Sequence, residues 1–388
     1  MASPAPPAAT VVLPEEIVED ILLRTPPDDP ASLVRGAAVC KPWCRFLSGR
    51  GFLLRYRALH RTPPMLGFVG NTGEEGDEEG SVARFVPTSS FRPLRADRRG
   101  LRALEARHGR VLLHSMPWGP EPSAKVLAVW DPITDEQVEL PKLPGRLDTY
   151  WLVWNAAVLC AAAVGGSCDH LGCHRGPFLV VFVATGVNET LTCVYSSEAG
   201  RWSEPTITEP IYSSLATTPG VLVENALYFM LHLWTAVLKY DLTTREISVI
   251  RLPPTINLLH SVLMTMEGGG LGIARVGDSI LYQWSREEGH NENDGWTQSK
   301  VIDLETLLPV DAFKTSVHVD CFADGTSVIF VKTADGLYSI DLKSIQVKKL
   351  EVGVGTGFFN IVPYMSFYKP ALGVASTGDG PQVGISNA

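Results

Sequence analysis

The sequence predicts a small all-α domain followed by a large all-β domain. Up to about position 60, apolar side chains recur at helical spacing. After Pro63-Pro64 the sequence changes to short β-branched or aromatic runs separated by Gly, Pro, Asp and Thr, and a unit of strand, Asp, polar turn and second strand recurs. With 388 residues, 45% of them hydrophobic, the chain can bury a core in each part.

The first predicted helix starts at Pro14. Proline is favoured at the first helical position because its missing N–H would have no partner inside the helix. Glu15 and Glu16 place negative charge near the positive end of the helix dipole, and Pro26-Pro27 ends the helix. One face of this helix is an apolar stripe that consists of Ile17, Val18, Ile21 and Leu22.

Two further helices are predicted before the composition changes. The second opens near Pro30 and places one apolar face on Leu33, Val34, Ala37 and Cys40. The third starts near Pro42, and its apolar pattern continues through Trp43, Phe46 and Leu47 and on to Leu59. About 45 residues of helix are close to the lower limit for independent folding, so we expect another surface to cover an apolar face. One possibility is that the helices are a cap on the next domain of the same chain.

This helical segment resembles an F-box. Leu13-Pro14, Ile21-Leu22-Leu23-Arg24 and Val39-Cys40-Lys41-x-Trp43 match, in order, the residue types of F-box helices in plant F-box proteins. The family usually has an apolar residue where Thr25 stands, and the Pro26 to Pro30 loop is unusually rich in Pro and Asp.

An F-box implies binding to the Skp adaptor and, through it, to a cullin. The resemblance implies that the adaptor-facing apolar contacts are made by Leu13, Pro14, Ile17, Ile21 and Leu22. It further implies that a second group holds the helices together, with some members also reaching the adaptor. This group consists of Val39, Cys40, Trp43 and Phe46.

Repeated hairpins predict the fold of the longer part. The unit of strand, Asp, turn and strand starts near Val126, Leu238, Lys300 and Leu337, and a copy with a Gly-containing turn spans 194–202. Sheet units of roughly 40 to 50 residues predict a β-propeller, because one four-stranded sheet cannot bury both of its faces alone. About 310 residues would hold six or seven blades; a pair of β-sandwiches is the alternative.

The same region resembles the β-propeller-like associated domains that follow F-boxes in plants, particularly in grasses. The phrases that carry the resemblance are Trp130-Asp131-Pro132-x-Thr134, Tyr195-Ser196-Ser197, Tyr240-Asp241-Leu242 and Ile302 to Pro309. We therefore expect a disordered tail at 1–10, the F-box at 11–60, the propeller-like domain at 61–375 and a second disordered tail at 376–388.

Composition argues against several kinds of partner. A net charge of -9 without a cluster of Lys and Arg does not favour nucleic-acid binding. The longest apolar stretch, 151–165, is interrupted by Asn155 and is shorter than the roughly 20 residues that span a bilayer. The N-terminus lacks the features of a secretory signal, and the seven cysteines favour free thiols in a reducing compartment. We expect a cytoplasmic or nuclear location, or both.

One short segment has the residue types of a metal site. Cys168, His170, Cys173 and His174 offer two thiols and two imidazoles, which are zinc ligands. Structural zinc sites usually combine such a segment with a second, distant pair of ligands, and the spacing of the other cysteines, Cys160, Cys193 and Cys321, suggests no such pair. The sequence therefore favours a solvated loop here, with no metal and no cofactor.

The sequence offers no catalytic constellation. Gly268 to Gly272 lacks the spacing of a dinucleotide-binding fingerprint and predicts a turn, and no Gly-x-Ser-x-Gly elbow occurs. Most of the tryptophans are expected to pack between blades. One or two of them are candidates for a binding face instead.

The leading hypothesis is a non-catalytic substrate-recognition subunit of a Skp-cullin-F-box (SCF) ubiquitin ligase. The F-box would bind the Skp adaptor, the β domain would hold an unidentified target protein, and other subunits would transfer ubiquitin. Two alternatives stay open: a propeller enzyme, hydrolytic or metal-dependent, with a helical cap, and an F-box scaffold that acts outside a ligase.

Overall fold

The computed structural model describes residues 14–73, 81–115, 127–144, 153–163, 168, 170, 173–232, 236–253, 256, 261–287, 295–350, 358 and 360–368. Leu13 and the predicted tails 1–10 and 376–388 lie outside these residues. The chain divides into two compact units, one with the residues up to Arg61 and one that runs from Thr62 to Phe367. No helix within the described ranges is long and apolar enough to cross a membrane.

The first unit contains four short helices: α1 Glu15–Leu23, α2 Pro30–Val39, α3 Lys41–Leu47 and α4 Arg50–His60. The predicted order, helices first and sheets afterwards, is confirmed. α2 opens at Pro30 as the sequence indicates, whereas α1 begins one residue after Pro14. The apolar pattern past Leu47 forms a separate helix, α4, because Gly49 adopts an extended conformation. The interior of this unit consists of Leu22, Leu33, Leu47, Phe52, Leu53 and Tyr56.

The second unit is built from antiparallel sheets. Its first strands are β1 Met65–Thr72, β2 Val82–Pro87, β3 Asp97–Arg99, β4 Arg102–Arg107, β5 Arg110–His114, β6 Leu127–Trp130, β7 Gln137–Glu139, β8 Val153–Cys160, β9 Phe178–Thr185, β10 Thr190–Ser196, β11 Arg201–Trp202 and β12 Thr206–Thr208. They are followed by β13 Val221–Val223, β14 Ala226–Leu231, β15 Ala236–Asp241, β16 Ile247–Arg251, β17 Ser261–Thr265, β18 Leu271–Gly277, β19 Ile280–Arg286, β20 Trp296–Asp303, β21 His318–Phe322, β22 Val328–Thr333, β23 Gly336–Asp341, β24 Val347–Leu350 and β25 Asn360–Met365.

These strands form six sheets in a β-propeller arrangement. Blade 2 contains β4 to β7, blade 3 contains β8 to β12, blade 4 contains β13 to β16, blade 5 contains β17 to β20 and blade 6 contains β21 to β24. Blade 1 joins the two ends of the unit, because its strand order is β25-β1-β2-β3. The predicted propeller is confirmed with six blades, and the pair of β-sandwiches is not formed.

The apolar cores lie between neighbouring blades. In β14, Leu227 and Phe229 pack in the cluster shared with blade 3, whereas Tyr228 and Met230 pack in the cluster shared with blade 5. Successive side chains of a strand point to opposite faces, so a strand in the middle of the ring is apolar throughout. This explains why these strands read as continuous apolar runs.

The repeated Asp marks the turn of three blade hairpins. Asp131, Asp241 and Asp341 follow or end the third strand of blades 2, 4 and 6. In each, Oδ1 accepts hydrogen bonds from the backbone N–H groups two and three residues later. The backbone N–H groups of Thr244 and Thr243 thereby hold the pKa of Asp241 below its usual range.

Asp303 departs from this pattern. It caps a short 3-10 helix, Leu304–Thr306, by accepting from Glu305 N at 2.9 Å. Asp303 ends the fourth strand of blade 5, whereas the other three Asp residues lie at the end of a third strand. No further strand of blade 5 therefore follows Asp303 in the chain. The same residue type therefore serves a hairpin in three blades and a helix cap here.

Candidate functional site

An exposed apolar strip of the first unit lies on α1. Ile17 and Ile21 are 49% and 54% exposed. They are one helical turn apart, so their side chains lie on the same face. Glu15, Glu16 and Asp20 surround them with negative charge. Such a pair on a small unit marks a candidate protein-binding surface.

The structure separates the predicted adaptor-binding residues into exposed and buried ones. Pro14, Val39 and Cys40 are exposed, and Trp43 is half-buried. Leu22 is 6% exposed and belongs to the helical interior. A Cβ added to Gly36 would lie 3.3 Å from a methyl carbon of Leu22, so α2 packs tightly on this side of α1. Leu22 thus faces away from the Ile17–Ile21 strip.

Contacts from α4 hold α1 in place. The Tyr56 hydroxyl donates to the Thr25 carbonyl at 2.8 Å, and the His60 ring nitrogen Nε2 lies 2.9 Å from the Leu23 carbonyl. Arg55 forms an ion pair with Glu19 at 2.9 Å. Burial raises the pKa of Tyr56, and nearby Asp28 and Asp29 raise it further. Thr25 supplies its backbone oxygen to this anchor.

An aromatic cleft on blade 5 is the candidate target-binding site. It has a volume of about 430 Å³. Tyr282 and Trp284 stack in it with ring centroids 5.8 Å apart. Arg275 Nε and Trp296 Nε1 are shielded from solvent and have no hydrogen-bond partner among the described residues. Tyr, Trp and Arg are the residues that most often dominate binding energy in protein interfaces.

A pocket that is lined by the inner strands of five blades contains a polar network. Glu105 is 1% exposed and accepts from Val158 N at 2.5 Å, and Arg107 Nε lies 3.1 Å from Asp324 Oδ2. The enclosed space is about 30 Å³, enough for one or two water molecules and not for a substrate. The network therefore ties β4 to β8 and to the residues after β21.

Glu105 makes the stability of the propeller depend on pH. Burial raises the pKa of Glu105 to about 7, even though Arg107 and the Val158 N–H favour the charged form. A raised folded-state pKa adds stability that is complete below the unfolded pKa, near 4.5, and is lost as the pH rises through the folded value. Burial raises the pKa of Asp320 to about 6, which acts in the same direction.

We expect the free energy of unfolding to fall between about pH 5 and about pH 7.5. Glu105 should contribute about 3 kcal/mol of this decline by linkage. Urea denaturation across this range measures it, with the Glu105→Gln variant as the comparison. A variant that declines as steeply as the wild type would contradict the assignment.

The predicted loop from Cys168 to His174 brings thiols together. The structure places Cys168, His170 and Cys173 beside Cys160, whose sequence spacing had suggested no role. The side chain of His174 lies outside the described part of the chain. Sequence reasoning missed Cys160 because it sits at the end of β8, across the hairpin from the start of β9.

The propeller matches a known protein family. Residues 102–372 match the family described as "F-box protein AT5G49610-like, beta-propeller". The match covers more than two thirds of the chain and spans β4 to β25. The chain belongs to this family.

A curated relative is also named an F-box protein. The chain is 23% identical over 264 residues to the F-box protein At5g03970 of Arabidopsis thaliana, which is 62% of this chain and 59% of that protein. The match thus spans less than two thirds of the relative's length. Both findings support a plant F-box protein with a β-propeller. The family match starts after α1 to α4 and does not cover the helical unit.

Solved structures resemble the chain only loosely. The GH93 α-L-arabinofuranosidase of Fusarium graminearum has a TM-score of 0.39 at 13% identity and covers 65% of this chain and 80% of its own. A protein from Lactobacillus plantarum has a TM-score of 0.34 at 15% identity and covers 73% and 94%.

Proposed function

We propose that this protein is the substrate-recognition subunit of an SCF-type ubiquitin ligase. The single observation that carries the proposal is the exposed Ile17–Ile21 strip on a four-helix unit that precedes a propeller of an F-box protein family. In this role α1 binds the Skp adaptor, the adaptor links to a cullin, and the propeller holds the target protein.

The adaptor contact is mainly hydrophobic. Ile17 and Ile21 each keep about half of their surface in water, and covering an isoleucine side chain fully contributes about 1.5 to 3 kcal/mol. Pro14, Val39 and Cys40 add exposed area to this unit. Leu22 contributes indirectly, because its packing against α2 sets the orientation of α1.

The target binds in the aromatic cleft of blade 5 under this proposal. The partly exposed Tyr282 and Trp296 supply apolar area, and the half-buried Arg275 guanidinium supplies a donor for a carboxylate or a backbone carbonyl. A cleft of about 430 Å³ accommodates a few side chains of a peptide segment. The expected target therefore presents an apolar side chain beside an acidic or carbonyl acceptor.

No group of this chain takes part in bond-making in the proposed mechanism. When the adaptor and the target are both bound, a lysine of the target is held near the carrier protein that bears ubiquitin. Their encounter then takes place at a high effective concentration. Ubiquitin transfer is performed by the other subunits of the ligase. A cytoplasmic or nuclear location, or both, accompanies this role.

The adaptor contact is tested with the Ile17→Asp/Ile21→Asp variant. Two charged residues in place of two apolar contacts should weaken Skp capture by at least about 100-fold, since each lost contact of about 1.4 kcal/mol is a factor of ten. Isothermal calorimetry with a purified Skp adaptor measures the change. Leu59→Asp is the matched control, because Leu59 is also 54% exposed and lies in the same unit. Undiminished binding of the double variant would exclude this surface.

The proposed target-binding cleft of blade 5 is tested by a substitution in the whole chain. In plant extracts, Trp296→Ala should keep adaptor and cullin in the immunoprecipitate and lose proteins that accumulate under proteasome inhibition. Loss of the adaptor together with those proteins would indicate misfolding and would count against a separate target site. Adaptor without cullin in the wild-type sample would favour the scaffold alternative.

A further inference from the structure

Three cysteines and one histidine cluster where the β8–β9 loop meets the β4–β5 turn. They are Cys160, Cys168, His170 and Cys173, and one potential ligand atom from each lies within 4.8 Å of the others. The Sγ atoms of Cys160 and Cys168 are 3.5 Å apart. Cys173 Sγ lies 3.5 Å from His170 Nδ1. Soft sulfur and imidazole nitrogen are the donors that zinc prefers.

These distances suit a tetrahedral zinc site. With Zn–S near 2.3 Å and Zn–N near 2.0 to 2.1 Å, tetrahedral geometry separates two sulfurs by about 3.8 Å, and a sulfur and a nitrogen by about 3.6 Å. Both observed separations agree with these values within a few tenths of an ångström. A disulfide would bring two sulfurs to about 2.05 Å.

Backbone and side-chain groups around the cluster orient its members. His170 N donates to Cys168 Sγ at 3.4 Å, and the Ala162 N–H donates to Cys160 Sγ. The His108 ring stacks on the His170 ring with centroids 3.8 Å apart, and its Nδ1 accepts from Cys160 N at 3.2 Å. Such outer contacts fix the position of metal ligands.

A buried positive charge adjoins the thiols. Arg110 is 3% exposed and interacts electrostatically with Cys173 and Cys160. Its Nη1 has no hydrogen-bond partner among the described residues. Zn²⁺ with three thiolates and a neutral imidazole has a net charge of about −1, and this charge would be balanced by the Arg110 guanidinium.

We propose that Cys160, Cys168, His170 and Cys173 bind one Zn²⁺ in a closed structural site. On binding, the three thiols release their protons to solvent and the imidazole binds through its unprotonated nitrogen. Four protein ligands leave no open position for a substrate, so the metal is structural. It fixes the β8–β9 loop to the end of β8 within blade 3, beside the His108 ring of blade 2.

Zinc content of the tag-free full-length protein tests the proposal. After purification in reducing, metal-free buffer, inductively coupled plasma mass spectrometry should find one zinc per chain. Cys160→Ser/Cys173→Ser should lower the content at least about tenfold. Cys40→Ser/Cys44→Ser is the matched control, because it removes two thiols of the helical unit and should keep the metal.

Cobalt substitution gives a second measurement that does not depend on the serine variant folding. Co²⁺ should show tetrahedral ligand-field bands and thiolate charge transfer. His170→Cys should keep the metal and increase the charge-transfer intensity as three thiolates become four. Negligible zinc in folded wild type, equal zinc in wild type and the serine variant, or a Cys160–Cys168 disulfide in the purified protein would each overturn the proposal.

Discussion

A chain that stops at Phe358 should not form a stable propeller, whereas a chain that stops at Tyr368 should. The shorter chain lacks β25, which pairs with β1 from Met65↔Met365 to Asn71↔Asn360 and completes blade 1. Ile361, Val362 and Tyr364 are almost fully buried. Burying three such side chains contributes about 5 to 9 kcal/mol, which is comparable to the whole stability of a domain.

Polar contacts increase the expected loss. Asn71 Nδ2 donates to Asn360 Oδ1 at 2.6 Å, and the Tyr364 hydroxyl donates to the Gly109 carbonyl of blade 2 at 3.0 Å. Without β25, the edge of β1 keeps unpaired N–H and C=O groups that favour aggregation.

Circular dichroism melts and size-exclusion chromatography of the two chains measure this effect. The chain ending at Tyr368 should give a monomer with a cooperative transition. The chain ending at Phe358 should aggregate or melt without one. A cooperative transition within a few degrees of that control would show that blade 1 does not need its last strand.

The Asp135→Ala variant should lose about 3 to 5 kcal/mol of free energy of unfolding. Asp135 and Arg98 form a buried ion pair between blades 1 and 2, with side chains 5% and 6% exposed. Asp135 also accepts from Arg95 Nε at 2.6 Å and from Trp130 Nε1 at 3.2 Å. Removing one partner of a buried pair leaves an uncompensated charge, which is the costly case.

Two comparison variants separate the charge from the backbone. Asp135 has a φ of 62°, a conformation that alanine adopts less readily than Asp or Asn. Arg245 occupies the equivalent turn position of blade 4 with the same φ but is exposed, so Arg245→Ala measures the backbone cost alone. Asp135→Asn keeps an acceptor and loses the charge, and its loss should be intermediate. Equal losses for Arg245→Ala and Asp135→Ala in urea denaturation would refute the buried-pair explanation.

Local chemistry made most of the blades predictable. The Asp turns at Asp131, Asp241 and Asp341 are satisfied by backbone groups two and three residues away, so the hairpins appear as short repeated phrases. The repeat of sheet units of roughly 40 to 50 residues predicted that each sheet packs between two others, and β14 packs apolar residues on both of its faces. Asp303 was an exception: the same sequence pattern predicted a hairpin turn there, but Asp303 ends the last strand of its blade and caps a short helix.

The helical unit was predictable in its elements and less so in its surfaces. Proline positions and helical spacing indicate helices near Pro14, Pro30 and Pro42. The stripe of α1 did not distinguish Ile21 from Leu22, since adjacent residues on a helix are only about 100° apart. Packing of α2 at Gly36 decides that Leu22 is interior and Ile21 is on the surface.

Local sequence patterns were thus enough to predict helices, hairpins and a propeller, and to show a resemblance to F-box proteins. Tertiary structure alone decided which strand closes the ring, that Asp135 meets Arg98, and that Cys160 joins Cys168, His170 and Cys173. The physical reason is the range of the interactions: a turn or a helix face is set by residues within a few positions. Closure and the two clusters depend on how sheets pack, pair and bring distant segments together.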